Sequence, residues 1–145
     1  MAHVRQQLRE AAIAALGNIA AFEGRVTALR AHARNIGDLP AAQVSVPIEE
    51  NERLDTQALL RRLELQVMVL AASSAVEDDL DALAVSIETA ITGSAAVQAV
   101  ASDIYLSGAA VEIGDPGETK MAELTLSFAT VVMTPDDDPE TVEGV

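Results

Sequence analysis

One uninterrupted stretch, Arg61 to Gly93, most constrains what this chain can fold into. Leu63, Leu65, Val67 and Val69 alternate with Arg62, Glu64, Gln66 and Met68, the period of a strand with one buried face. Ser74-Ala75-Val76-Glu77 follows directly, with the spacing of a capping box. In that motif the Ser hydroxyl accepts from the Glu N–H and the carboxylate reaches back to the Ser N–H. Val76, Leu80, Leu83, Ile87 and Ile91 then form one helical stripe. Asp78, Asp79 and Asp81 lie off that stripe in the first turns, where carboxylates suit the positive end of the helix dipole. Gly93 is placed to stop the helix in a left-handed conformation. Strand and helix each present an aliphatic face, and only a shared core covers both.

The flanking segments supply the rest of a sheet. His3 to Leu16 predicts a helix with Val4, Leu8, Ala11, Ala12 and Ala15 on one side. Arg25 to Ala31 predicts a short strand, and His32 to Pro40, with Asn35, Gly37 and Asp38, a loop. Ala41 to Ile48 predicts a second strand, which by Pro47 lies at a sheet edge or reaches one. The charged run Glu49 to Asp55 is expected to be an extended hairpin arm before the organising strand. Ser94 to Ser102 is a small-residue connector with room for a helical turn at Val97 to Val100. Asp103 to Ile113 predicts a strand with a bulge at Ser107-Gly108. After a turn through Pro116-Gly117, Met121 to Met133 predicts a last strand, with Leu124, Leu126 and Phe128 on one side. The expected fold is α+β over residues 1–134. It is a mixed or antiparallel sheet of about five strands with two helices packed on it, in the order α-β-β-β-α-β-β. Residues 135–145, DDDPETVEGV after Pro135, read as an acidic, disordered tail.

Function classes are narrowed mainly by what the chain lacks. Its 145 residues carry a net charge of −14, which disfavours binding of a phosphate backbone. Two Phe and one Tyr leave little for stacking bases or sugars, and no Cys is present to build a disulfide or thiolate site. The opening residues lack a signal-peptide apolar core, and no apolar run reaches membrane-spanning length, so no membrane association is expected. Gly114 to Lys120 contains Gly and Lys but not the Gly-Lys-Ser/Thr ending of a phosphate loop. His3 and His32 are the only imidazoles and have no zinc-ligand spacing. The clusters Glu49/Glu50/Glu52, Asp78/Asp79/Asp81 and Asp136/Asp137/Asp138 lack the ligand alternation of a calcium loop. No Gly-x-Ser-x-Gly elbow exists. The chain is therefore expected to be no enzyme, with neither metal nor cofactor. Its cations are almost all Arg, a residue suited to planar carboxylate pairing at interfaces. Arg30, Arg34, Arg53, Arg61 and Arg62 are the candidates for such contacts between subunits.

Four stretches together resemble the tail terminator (tail completion) proteins of long-tailed phages and of phage-like gene transfer agents. They are HVRQQLREAAIAAL, RVTALRAHARNIGDLPAAQVSV, EENERL followed by RRLELQVMV, and the C-terminal strand pair; together they span Ala2 to Met133. The chain departs from the family at Ala31, His32 and Ala33, where members often carry aromatic residues, and in its acidic C-terminus. The resemblance implies a structural virion protein forming a homo-hexameric ring on the head-proximal end of the tail tube. Such a ring ends tube polymerisation and provides head–tail joining. Its partners would be the tail tube protein and a head-completion or neck protein, with DNA passing through without specific binding. The location implied is the tail or neck of a virion or phage-like particle, after synthesis in the host cytoplasm. In such a ring Glu49, Glu50, Glu52 and Asp55 are candidates for the lumen, whose acidity would repel DNA, or for an interface. The alternatives are another tail or neck joining protein and a non-enzymatic α+β protein-binding module.

Overall fold

The organising strand runs longer than its alternation announces, from Ala58 to Ser73 (β3), and passes through a two-residue turn into helix α2, Val76–Thr92. The computed structural model describes residues 2–28, 39–55, 57–114 and 120–143. Besides β3 and α2, these contain helix α1 (Val4–Leu16), a 3-10 turn at Ala20–Phe22, and strands β1 (Val26–Ala28) and β2 (Ala41–Arg53). Helix α3 (Ala95–Val100) and strands β4 (Asp103–Gly114) and β5 (Lys120–Pro135) complete the order. Among the described residues the strands form one five-stranded mixed sheet, β1-β2-β3-β5-β4, with β1 parallel to β2 and every other pair antiparallel. The α+β class expected from the sequence is the class observed.

Burial follows the two periodicities. Leu63, Leu65, Val67, Val69 and Ala71 on β3 share a buried face with Ala122, Leu124, Leu126 and Phe128 on β5. The register places Leu65 opposite Phe128 and Val67 opposite Leu126. Val76, Leu80, Leu83, Ile87 and Ile91 of α2 are all buried, as the stripe predicts, and join Val4, Leu8, Ala12 and Leu16 of α1 in the same core. A fully buried aliphatic side chain of this kind contributes roughly 1.5–3 kcal/mol. Because the described helices cover one face, the alternate residues of β3 and β5 are left half-buried, and Arg62 is exposed.

The helix termini differ from expectation. The capping box at Ser74 does not form: Ala75 is the N-cap of α2 and makes no side-chain cap bond. Ser73 takes that place, its Oγ accepting from the Ala75 N–H at 3.2 Å and donating to an Asp79 carboxylate oxygen at 2.5 Å. The strand thus ends one residue before the expected cap, and its last side chain serves the helix. Gly93 closes α2 with φ −92° rather than a left-handed angle. Its requirement is spatial, since a Cβ there would lie 2.9 Å from the Thr89 carbonyl oxygen. The connector at 94–102 forms a third helix, α3, capped by Ser94, whose Oγ accepts from the Val97 N–H at 3.2 Å.

Two strands also differ. β2 does not end at Ile48; it continues through the charged run to Arg53. Pro47 is accommodated because the β2–β3 register shifts between Ser45 and Ile48, and because the β1 pairing covers only Ala42 to Val44. β4 carries the expected bulge, with its register shift between Leu106 and Gly108.

The acidic C-terminus was expected to be free, and through residue 143 it is tied down. The Asp136 N–H donates to the Gln57 carbonyl at 2.9 Å and the Glu143 N–H to the Met133 carbonyl at 2.8 Å. The Val4 N–H donates to the Pro139 carbonyl at 2.9 Å, and Gln7 Nε2 to the Glu140 carbonyl at 2.7 Å. Val142 packs against the core. The physical reason is the open N-terminus of α1: its first N–H groups need acceptors, and the Pro139 carbonyl of this strap provides the one for Val4.

Candidate interaction surfaces

The charged side chains that converge most closely sit where β2 and β3 pass beside the first turn of α1. Glu49 Oε1 accepts from Arg5 Nη1 at 2.9 Å, and its Oε2 accepts from Arg61 Nη1 at 2.8 Å and Asn51 Nδ2 at 2.7 Å. Arg61 is 7% exposed, and its Nε donates to Thr134 Oγ1 at 3.1 Å. The alternation of β3 explains the position: Arg61 occupies the helix-facing side that Leu63 and Leu65 continue. Burial pushes the Glu49 carboxyl up. The hydrogen bonds from Asn51 and Arg5 and the Arg61 and Arg5 guanidinia outweigh it and hold the group below its ordinary value. Beside them the His3 imidazole is held below its ordinary value, first by burial and then by Arg5 and Arg61. Its Nδ1 accepts from the Arg5 N–H at 3.0 Å and so caps α1.

The other sequence candidates scatter. Glu50 is exposed on the opposite face of β2, with Arg62 as its cross-strand neighbour. Glu52 Oε2 accepts from Arg62 Nη1 at 3.1 Å, both side chains being more than half exposed. Asp55 turns the β2–β3 hairpin, its Oδ1 accepting from the N–H groups of Gln57 at 2.7 Å and Ala58 at 2.9 Å. Arg53 pairs with Asp136 at 2.9 Å and so helps fasten the C-terminal strap. Arg30 and Arg34 lie outside the described residues, as do His32, Ala31 and Ala33. Glu49 and Arg61 were candidates for lumen or subunit contacts, yet both are engaged inside their own chain. Glu50, Glu52 and Arg62 keep their exposure.

The fold also creates two surfaces that no sequence motif marks. Among the described residues β4 is an edge strand paired only to β5, and residues 107–114 are exposed throughout. Ile104 to Val111 contains no charge, while Val111 is 50% and Ile113 51% exposed. The second surface is the uncovered face of the sheet. A trough of about 300 Å³ crosses four strands there, from Ile48 and Glu50 on β2, over Arg62 and Glu64 on β3 and Ala129 and Val131 on β5, to Tyr105 on β4. Ile48 and Tyr105, 51% and 57% exposed, form its walls.

The missing signal was partly present. The run LSGAAV lacks the Lys or Pro that usually blunts an edge. The trough had no linear signal, since its walls lie 57 positions apart in sequence (48 and 105) and meet only through sheet order. The role of Arg5 was likewise invisible, because Glu49 lies 44 residues away. Among the described residues no group of three or more His, Cys, Asp or Glu is placed to hold a metal ion, and no helix is long and apolar enough to cross a membrane.

No protein-family model and no curated protein matches the chain. A chain in a solved structure described as the virion of a native gene transfer agent (GTA) particle is similar to it. That similarity amounts to 15% sequence identity over 91% of this chain and 92% of that chain, with a TM-score of 0.43.

Proposed function

We propose that this chain is a structural protein of a phage-like particle, whose copies join into a six-membered ring on the head-proximal end of the tail tube. The ring stops tube polymerisation and offers the surface on which the neck docks. The observation that carries this reading is the β4 edge. Its outer side runs along the uncharged stretch from Ile104 to the half-exposed Val111, with half-exposed Ile113 just beyond Glu112. Such an edge is a template for strand pairing and is a liability unless another chain covers it. Pairing of β4 with a different surface of the next copy is head-to-tail, and head-to-tail contacts close into rings when the rotation permits.

The sequence order that resembles tail terminators supports the same reading, since its long central strand and C-terminal strand pair share one sheet on which the opening and second helices pack. The role is non-catalytic: the converging charges of Arg5, Glu49 and Arg61 neutralise one another within the fold. Glu50 and Glu52 remain the lumen candidates, and a net charge of −14 suits a passage that DNA crosses without being held.

Particles lacking the chain are expected to carry tails of uncontrolled length that do not join heads. The double variant Val111→Lys/Ile113→Lys is expected to fold and fail to form rings, as judged by native mass spectrometry and electron microscopy. Rings of normal size from that variant would sink the edge-pairing argument. Tails of correct length that merely lack heads would instead favour a neck or head-joining protein, the nearest alternative.

A further inference from the structure

We infer that the uncovered face of the sheet is the docking surface for a basic amphipathic α-helix of a partner protein. The inference rests on the shape and charge of that face and holds whether or not the chain forms a ring. The trough walls, Ile48 on β2 and Tyr105 on β4, are separated by three strand intervals. At roughly 4.8 Å per interval this is about 14 Å, which admits a helix of about 10–12 Å diameter. The floor is kept low by Ala129, and its walls are apolar, so the helix must bring an apolar stripe to fill it.

Charge sets the sign of the partner. Glu50 lines the trough beside Ile48, and Glu64 lines it on β3 between the walls. Further along the same face Glu112 and Glu123 stand directly opposite each other across β4 and β5, a like-charge pair that is unfavourable in the free protein. Among the described residues none of Glu50, Glu64, Glu112 and Glu123 takes part in an ion pair. Arg62, the cation among the described residues of the trough, is already paired with Glu52. An acidic face with an apolar furrow repels a second copy of itself and repels nucleic acid, and it attracts Lys or Arg flanking an apolar stripe. From Val131 to Glu123 the furrow and the second carboxylate pair are about 27 Å apart along β5, the length of roughly 18 helical residues.

The test is a titration of isotope-labelled full-length protein, followed by amide chemical shifts, with a synthetic amphipathic peptide of Leu and Lys about that long. Its Leu/Glu counterpart serves as the control ligand. Saturable one-to-one binding of the Leu/Lys peptide is expected, with shifts confined to the open-face positions of β2, β3, β5 and β4. Glu50→Lys/Glu64→Lys and, separately, Ala129→Trp should each weaken it at least about tenfold. Glu10→Lys/Asp81→Lys makes the same charge change on the helix side and should weaken it less than about twofold. Equal weakening by both charge variants, or shifts spread over the helices, would mean unspecific attraction and overturn the proposal. Equal binding of the Leu/Glu peptide would overturn the charge argument. Open-face shifts that move with protein concentration alone would identify a second copy as the occupant and overturn it as well.

Discussion

Replacing Glu49 by Leu should destabilise the fold far more than a change at an acidic strand position ordinarily does. Its carboxylate is 13% exposed and accepts from two guanidinia and one amide. The Arg5 pair is 46% exposed on the cation side and contributes little, about 0–1 kcal/mol. The Arg61 contact is the larger loss. Arg61 is 8% exposed at its side chain, and without Glu49 it retains only the Thr134 hydroxyl among the partners described above. Removing one member of a buried pair costs about 3–5 kcal/mol, because the remaining charge is left uncompensated. Partial access through Glu49 puts the expected cost near the lower end, about 3 kcal/mol. The double variant Glu49→Leu/Arg61→Leu should recover much of that loss, since apolar residues often replace a buried pair at little cost. Urea unfolding of wild type, both single variants and the double variant gives the cycle. A single-variant cost under about 1 kcal/mol, or a coupling energy indistinguishable from zero, would refute the argument that Arg61 depends on Glu49.

Further perturbations separate the structural devices. Acidification should destabilise the protein through Glu49 and His3 together. Both have folded pKa values below their unfolded ones, so the unfolded state binds more protons and stability falls as pH drops below each unfolded value. The His3 share is lost first, from just below neutrality, and the Glu49 share below the ordinary carboxylate range; unfolding midpoints that rise on acidification would contradict this. Ser73→Ala should cost about 1 kcal/mol as a lost cap while Ser74→Ala costs almost nothing, and the reverse order would restore the capping box. Leu65→Ala, at a fully buried position, should cost about 3–5 kcal/mol in urea unfolding, with Leu83→Ala somewhat less. Truncation after Pro135 should lower stability by about 2 kcal/mol or more, from several hydrogen bonds of about 1 kcal/mol each; an unchanged midpoint would return the C-terminus to a free tail.

Local patterning determined most of the elements. The period-two run at Leu63 to Val69 and the stripe from Val76 to Ile91 dictate a strand and a helix sharing a core, because each can hide its apolar face only against the other. The bulge at Ser107-Gly108 was legible for the same local reason, small residues interrupting an alternating strand. Only the tertiary structure decided how residues distant in sequence were employed. The charges of Glu49 and Arg61 are alike in sequence to those of Glu50 and Arg62. The pleat of β2 and β3 turns the first pair toward α1, where Arg5 waits, and the second pair toward the open face. The acidic C-terminus has no apolar stripe from which to predict docking, yet its Pro139 and Glu140 carbonyls accept from the Val4 N–H and the Gln7 side chain of α1, which side-chain pattern does not encode. The trough and the bare β4 edge arise from global arrangement: β5 inserts between β3 and β4 and leaves β4 outermost, while the described helices all pack on the opposite face of the sheet.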